Sequence, residues 1–505
     1  MDKKNNDHLI RCSPFMITSL WRRAWPFLAL LTGLLVVRAA GDHRSNFHYT
    51  GDYVSELSLL VSAENFQRFG FVTTRFAPIP MDVPKNVPVD IHSPALYYTH
   101  YGPLPYWLFS LPINYLSLGE FGARILAVLL SMAGLWCALA SVYEWTESFV
   151  SSSTVPVLLP LAILALNPVM LCYADNINEQ GLTEAIKWLG FLWAVRSLRR
   201  PLERPVSVIP GIVASFLLLY TSFEWLVPMG AVMVFVLWTT RGSPRRSPRI
   251  WAQAVFFGCI LPVGLRWAQV VWVFGGWSPA LQDWKDILKI RETGSLTLPY
   301  SACRHIVKLF FGLWWFAGPV VLASVAASGR RLADVMTAAS HRSIPARRLV
   351  CLLGLWGVGS ISWQFLMRQH AMIHGFTYIH PANFLIWTAA AGLVVLWSAG
   401  RTTLAAALAA AQIFIGGMLS KSEIIIPFLH ARVVAEASRL CPSDAAAVLA
   451  EAGRMHSGMA SEISSALSAA SPSVPCGDDG RRAAIWLRFW MYAVKSSSLN
   501  DPVST

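Results

Sequence analysis

Apolar stretches of about 20 residues recur along the chain from Trp25 to Gly417, separated by short polar runs, and each can cross a hydrocarbon core of about 30 Å as a helix. Period-2 alternation is weak, which argues against a membrane β-barrel. The predicted spans are 23–40, 121–142, 154–174, 182–197, 206–222, 226–240, 251–274, 307–327, 349–367, 382–399 and 402–419. The expectation is an all-α polytopic membrane protein with about eleven transmembrane helices. Leu104 to Leu118 is also apolar, but it is short and carries Pro105 and Pro112, so it reads as a half-length or interfacial helix.

Composition agrees with the pattern. Of 505 residues, 55% are hydrophobic and 14% charged, whereas a soluble domain carries about 25% charged residues. The formal charge of +13 points at first to nucleic acid, but the excess Lys and Arg sits in short runs between apolar stretches, which is a topology signal. Segments 1–23, 196–205, 241–250 and 328–348 are basic and placed inside; 41–120, 275–306 and 368–381 fall outside. Membrane lipid is therefore the expected surroundings, and nucleic acid is not an expected partner. Lys3, Lys4, Arg11, Arg22 and Arg23 precede the first apolar stretch as in a signal sequence, but Arg38-Ala39-Ala40 is a poor small-x-small site, so the first span is expected to stay uncleaved.

These boundaries divide the chain into a membrane domain, 1–420, with a partly helical first extracytoplasmic loop, 41–120, and a small, partly helical extracytoplasmic tail, 421–505. In the tail, Trp486, Phe489, Trp490 and Tyr492 suggest an interfacial helix, and Cys441 and Cys476 are either a disulfide or two free thiols. The eight cysteines form no CxxC or CxxH pattern, so neither a zinc site nor a dithiol redox motif is supported. No internal repeat is visible.

Residues with chemical potential gather in the outward segments. Gly51-Asp52-Tyr53-Val54-Ser55-Glu56 leads into Leu57 to Phe69 and then Gly70, a short helix closed by a glycine cap. Asp52 and Glu56 stand one turn apart. They offer two carboxylates to a substrate, or else Asp52 is the N-cap and Glu56 a carboxylate favoured by the helix dipole. The segment His92 to Trp107 is dense in His, Tyr and Pro; its His100 and Tyr101 suit an interface belt or a sugar-stacking, phosphate-contacting site equally.

The turn from Asn167 to Glu184 supplies Asp175 as a second acidic residue and Glu179 as a partner for sugar hydroxyls, with a solvated loop as the alternative. Glu224 is a lone acid at an outer boundary, facing the same cavity or snorkelling. Arg291, beside Glu292, suits bidentate phosphate contact or a solvated face. Between Arg368 and Pro381 lie His370, His374 and His380. The i, i+4 pair lacks an intervening Glu and meets Gly375, so Arg368 and His374 are read as binding phosphate or acceptor, or as part of a pH-dependent interface loop.

Four segments then stand in a telling order: Asp52-Tyr53; Ala63-Glu64-Asn65-Phe66-Gln67-Arg68-Phe69-Gly70-Phe71; Tyr98-Thr99-His100-Tyr101-Gly102-Pro103-Leu104; and Phe121-Gly122-Ala123-Arg124. This resembles the integral-membrane GT-C glycosyltransferases, most nearly the bacterial branch related to protein O-mannosyltransferases and the lipid A aminoarabinose transferase. Those proteins place an acidic residue just after the first span, then a helix ending in Gly, a His-x-Pro-Pro-Leu-like segment, and a second span beginning near an Arg. The likeness runs over residues 25–240 and fades beyond.

The resemblance implies inverting transfer of a sugar from a polyprenyl-phosphate donor to a protein, glycolipid or polysaccharide acceptor. It places Asp52 as general base in a protein of the bacterial inner membrane; Asp175 is read from the outward turn as the second acid, and the charge pattern puts the site on the extracytoplasmic face. No cofactor is assigned; a divalent cation stays open, with no ligand named. Gly102 stands where the family often has its first Pro, and Glu56 replaces an acid adjacent to Asp52. The rival is a transporter or flippase of a lipid-linked sugar or small anion, which should show broken helices or ionisable residues near the membrane midplane.

Overall fold

The computed structural model describes residues 14–42, 53–81, 83, 90–99, 101–150, 155–199, 207–240, 248–292, 303, 317–326, 343–367, 378–419, 445–450 and 464. Among the described residues every regular element is a helix. Five are long and apolar enough to cross a membrane: Thr18–Ala40, Gly119–Thr146, Pro248–Phe274, Pro345–Leu366 and Ile379–Ser398. Their outward faces carry exposed large apolar side chains, such as Leu30, Leu34 and Val37 on the first, or Phe256, Phe257 and Ile260 on the third. A helix leaves no backbone group unpaired in lipid, and apolar side chains on its outer stripe complete the match. The chain is an all-α membrane protein.

In chain order the helices are α1 (Pro14–Asp42), α2 (Tyr53–Phe69), α3 (Leu104–Ser110), α4 (Gly119–Thr146), α5 (Leu158–Ala165), α6 (Pro168–Tyr173), α7 (Glu179–Arg199) and α8 (Ile209–Thr221). They continue with α9 (Leu226–Thr239), α10 (Pro248–Val255), α11 (Leu261–Phe274), α12 (Trp277–Glu292), α13 (Ala317–Ala326), α14 (Ser343–Leu366), α15 (Ile379–Ser398) and α16 (Thr402–Leu419). A helix thus lies on every predicted apolar stretch.

The stretch 154–174 departs from expectation, because α5 and α6 are separate short helices. The cause is local. Pro168 has no N–H to continue a helix and drives Asn167 to an extended backbone, φ −76° and ψ 147°. Asn167 then caps α6, its side-chain oxygen accepting from the Met170 amide at 2.7 Å.

The core lies between α4, α7, α9, α14 and α15, where Leu139, Phe191, Trp225, Trp356 and Trp387 are buried. α4 and α7 approach closely. A methyl built on Gly134 would stand 2.9 Å from the Ala185 Cα, so only glycine fits there. Trp387 bridges the layers, donating to Ser141 Oγ at 2.8 Å and stacking on Trp188 with ring centroids 6.3 Å apart.

The first loop is tied to this frame by a second cluster in which Leu59 and Phe66 of α2 meet Tyr106 and Phe109 of α3 and Ala123 and Ala127 of α4. α2 ends where predicted, at Gly70 with φ 82°, whose amide donates to Phe66 O at 2.9 Å. α3 is seven residues long and passes into a π-turn at Leu111–Tyr115, so this stretch is half-length, as its prolines required. Of the tail, the structure describes 445–450, a helical turn, and residue 464; the remainder, with Cys441 and Cys476, lies outside the described residues.

Candidate functional site

Two acids far apart in the sequence meet in one buried layer. Glu56, on the first turn of α2, is 1% exposed and receives both terminal nitrogens of Arg124, Nη1 to Oε1 and Nη2 to Oε2, each at 3.2 Å. It also accepts the Ile177 amide at 2.9 Å. Arg124, on the first two turns of α4, further donates to Glu120 at 2.9 and 3.0 Å and to the Asp175 carbonyl at 3.3 Å. Asp175, fully buried, is held by Arg38 near the end of α1: Nε meets Oδ2 at 3.0 Å and Nη2 meets Oδ1.

α1, α2, α4 and the 174–178 turn are thereby fastened to one another by charge-assisted hydrogen bonds. Burial pushes the Glu56 carboxyl above its ordinary range, against the opposing pull of Arg124 and the Ile177 amide.

The Tyr97 to Pro103 segment is fixed from α11. Arg266, 1% exposed, donates to the Thr99 carbonyl at 2.6 Å, to the Tyr101 carbonyl, and to Gln269 Oε1 at 2.6 Å. Gln269 in turn donates to Phe76 O at 2.6 Å. Arg75 returns the contact, donating to Val273 O at 2.5 Å near the end of α11. Arg75 and Phe76 hold left-handed φ values of 55° and 56° within this clamp.

Tyr101 is buried against Ile379, the first residue of α15. Gly102 donates its amide to Thr221 O at 2.9 Å at the end of α8, and a methyl built on it would overlap the Tyr220 carbonyl oxygen. Proline at this position could neither donate that bond nor fit. Thr99 donates its hydroxyl to Asp283 of α12 at 3.1 Å, and burial holds the Asp283 carboxyl above its usual range against that bond.

A third polar group lies between α7, the 223–225 turn and the start of α15. His380 Nδ1 stands 2.9 Å from Glu184 Oε1, and its Nε2 stands 3.1 Å from Glu224 Oε2. Glu184 also receives Lys187, Trp188 Nε1 at 3.1 Å and Asn383 Nδ2 at 2.8 Å. Glu184 borders a cavity of about 50 Å³ between α4, α6, α7 and α15, whose walls include Ser131, Tyr173, Gln180 and Asn383.

Of the residues singled out in the sequence, Glu56 and Asp175 are brought together, Tyr101 and Glu224 face the neighbouring layers, and Glu179 is buried at the start of α7. Arg291 lies on the last turn of α12, and its side chain is not among those described. Asp52, His100, Arg368 and His374 lie outside the described residues. The sequence reading gave no role to Arg38, Lys187, Arg266 or Asp283, and took His380 only as part of a cluster. For Lys187 and Arg266 a signal existed: each is a charged residue within an otherwise apolar stretch, and such residues are paired inside the bundle. Among the described residues no group of three His, Cys, Asp or Glu is placed to hold a metal ion.

No protein-family model matches this chain, and no curated protein matches it. Solved structures similar to it include the following two. One, ArnT from Cupriavidus metallidurans bound to undecaprenyl phosphate, is 13% identical, with a TM-score of 0.47 over 96% of this chain and 79% of that one. The other, the same protein in the apo state, is 14% identical, with a TM-score of 0.43 over 94% of this chain and 76% of that one.

Proposed function

We propose that this chain is an inverting glycosyltransferase that moves a hexosyl or pentosyl group from a polyprenyl-phosphate donor to a protein, glycolipid or polysaccharide acceptor on the extracytoplasmic face of a bacterial inner membrane. The reading includes eleven crossings. A donor whose lipid lies in the bilayer presents its head group at the helix ends, so no nucleotide-binding fold is needed. Asp52 takes the proton of the acceptor hydroxyl or amine as that atom attacks the anomeric carbon from the face opposite the departing phosphate. A cation, from Arg291, Arg368 or a divalent ion, balances the charge growing on the phosphate.

The observation that carries this reading is the Glu56–Arg124–Asp175–Arg38 layer, which joins the two acidic segments and holds α2, whose first residue follows Asp52. Asp175 acts in it as a positioning residue, since both its oxygens meet Arg38. Glu56 likewise works through α2 rather than on substrate.

A second reading has an observation of its own. The α5–α6 break interrupts a predicted span, a feature expected of a transporter of lipid-linked sugar. One experiment separates the two. Purified protein in liposomes is given polyprenyl-phosphate sugars and a membrane acceptor extract, and release of free polyprenyl phosphate is measured for wild type and Asp52→Asn. Release by wild type alone supports the transferase and its base. Release by neither, with lipid-linked sugar crossing the bilayer, overturns it in favour of transport.

A further inference from the structure

The charges around His380 bear on its protonation. Two carboxylates, Glu184 and Glu224, share it with Lys187, and all three side chains sit at 15% exposure or less. Glu184 is committed as an anion by four donors: Lys187, Trp188, Asn383 and His380. Lys187 balances it, lying 5.1 Å from the Trp188 ring centroid and 5.3 Å from that of Trp225. Glu224 is left to His380.

Each imidazole nitrogen faces a carboxylate oxygen, at 2.9 and 3.1 Å, and a carboxylate only accepts. The Trp225 indole N–H donates towards Nε2 at 3.4 Å with the rings edge to face, a contact that a protonated Nε2 gives up in favour of Glu224 at 3.1 Å. With both carboxylates ionised, a neutral imidazole beside them and one ammonium would leave a net negative charge buried in the bundle, which is costly; the other neutral arrangement is a protonated Glu224 beside a neutral His380.

We propose that His380 works as an imidazolium clamped between Glu184 and Glu224, and that this clamp is the positioning device for the outer end of α15. Its three anchors come from chain-distant elements: Glu184 from α7, Glu224 from the turn between α8 and α9, and His380 from the first turn of α15. α15 directly follows the segment 368–377, which holds Arg368 and His374, and α7 directly follows the Asp175 turn. The clamp therefore sets the start of α15 against α7 and the 223–225 turn. Its consequence for substrate rests on the transferase reading; its protonation does not.

The test uses the full chain in liposomes with histidine-selective ¹³C and ¹⁵N labelling. His380 is assigned among the 12 histidines by difference from His380→Gln. The expected spectrum at neutral pH is an imidazolium, converting to neutral imidazole only on the alkaline side, and at lower pH in Glu224→Gln. The midpoint of thermal unfolding should fall in His380→Gln, which strands Glu224, and recover in His380→Gln/Glu224→Gln, which restores neutrality. A neutral His380 at neutral pH, or no recovery in the double variant, overturns the proposal. Should His380→Gln fail to fold, the shift of His380 titration in Glu224→Gln decides instead, with the assignment made from His380→Gln/Glu224→Gln. In a transfer assay the double variant should raise KM rather than lower kcat; an unchanged KM removes the positioning role. Absence of transfer by wild type would overturn the proposed function while leaving the spectroscopic and stability results to stand.

Discussion

Arg124 reaches across 68 residues of sequence to grip both oxygens of Glu56, so that the second long apolar helix and the first loop share one bidentate ion pair. Both partners are 1% exposed. Breaking a buried pair by removing one partner strands the other charge, at a cost of about 3–5 kcal/mol. Arg124→Met should therefore lower the unfolding midpoint sharply, Glu56→Leu less so because Arg124 keeps its ion pair with Glu120, and the double replacement should lose less than the sum. Thermal denaturation of the four proteins in one detergent checks this. Additive losses would show that the pair is not energetically coupled.

Gly102 offers a sterically cleaner test. Gly102→Ala drives a methyl into the Tyr220 carbonyl, and the neighbouring backbone, which belongs to α8, cannot turn aside as a side chain would. Expression and thermal stability should both drop. Gly102→Pro should be as damaging, since it also deletes the 2.9 Å bond to Thr221 O. A stable Gly102→Ala protein would contradict the packing of Tyr101-Gly102 against the end of α8.

Asp283 makes the docking of α12 on the first loop sensitive to pH. Burial holds its carboxyl above the ordinary value, so the docked state binds more protons than the undocked one between the two values. Docking is thus strongest below the ordinary carboxylate range and weakens as pH rises through the raised value. Hydrogen exchange of residues 277–292 should speed up over that interval beyond its intrinsic pH dependence. Asp283→Asn should flatten the excess, because its amide does not titrate.

Asn167 should behave as an ordinary N-cap with an added load. Besides capping α6 it donates to the Leu164 carbonyl at 2.5 Å, closing the end of α5. Asn167→Ala should cost about 1 kcal/mol for the cap, measured as a shift in denaturation midpoint. A larger loss would mean that the break between α5 and α6 is held mainly by this one side chain.

The sequence exposes the helices because each must satisfy its own backbone in lipid, and that demand writes a long apolar run into a local window. It exposes the end of α2 for a similar reason: Gly70 with a left-handed φ is a local requirement. The partners of Glu56 are not local. A carboxylate on the first turn of α2 is consistent with the helix dipole alone, and nothing near it in sequence points to Arg124 or to the Ile177 amide. The same holds for Asp175 and Arg38, 137 residues apart. Asn167-Pro168 was legible as a turn but also fell inside an apolar run of span length. The proline decided the matter.

The contact of Gly134 with Ala185 bears on how the chain is built into its membrane. α7 carries Glu179, Glu184, Lys187, Arg196 and Arg199, and it is not among the five helices apolar enough to partition into lipid alone. Its charges are matched by others already in place or still to come: Glu144 of α4 pairs with Arg196 and Arg199, whereas His380 belongs to a helix synthesised much later. The charges of α7 are thus covered from both sides in sequence, by Glu144 of α4 before it and by His380 of α15 after it. A chain ending before α15 would leave Glu184 without its contacts to His380 and Asn383.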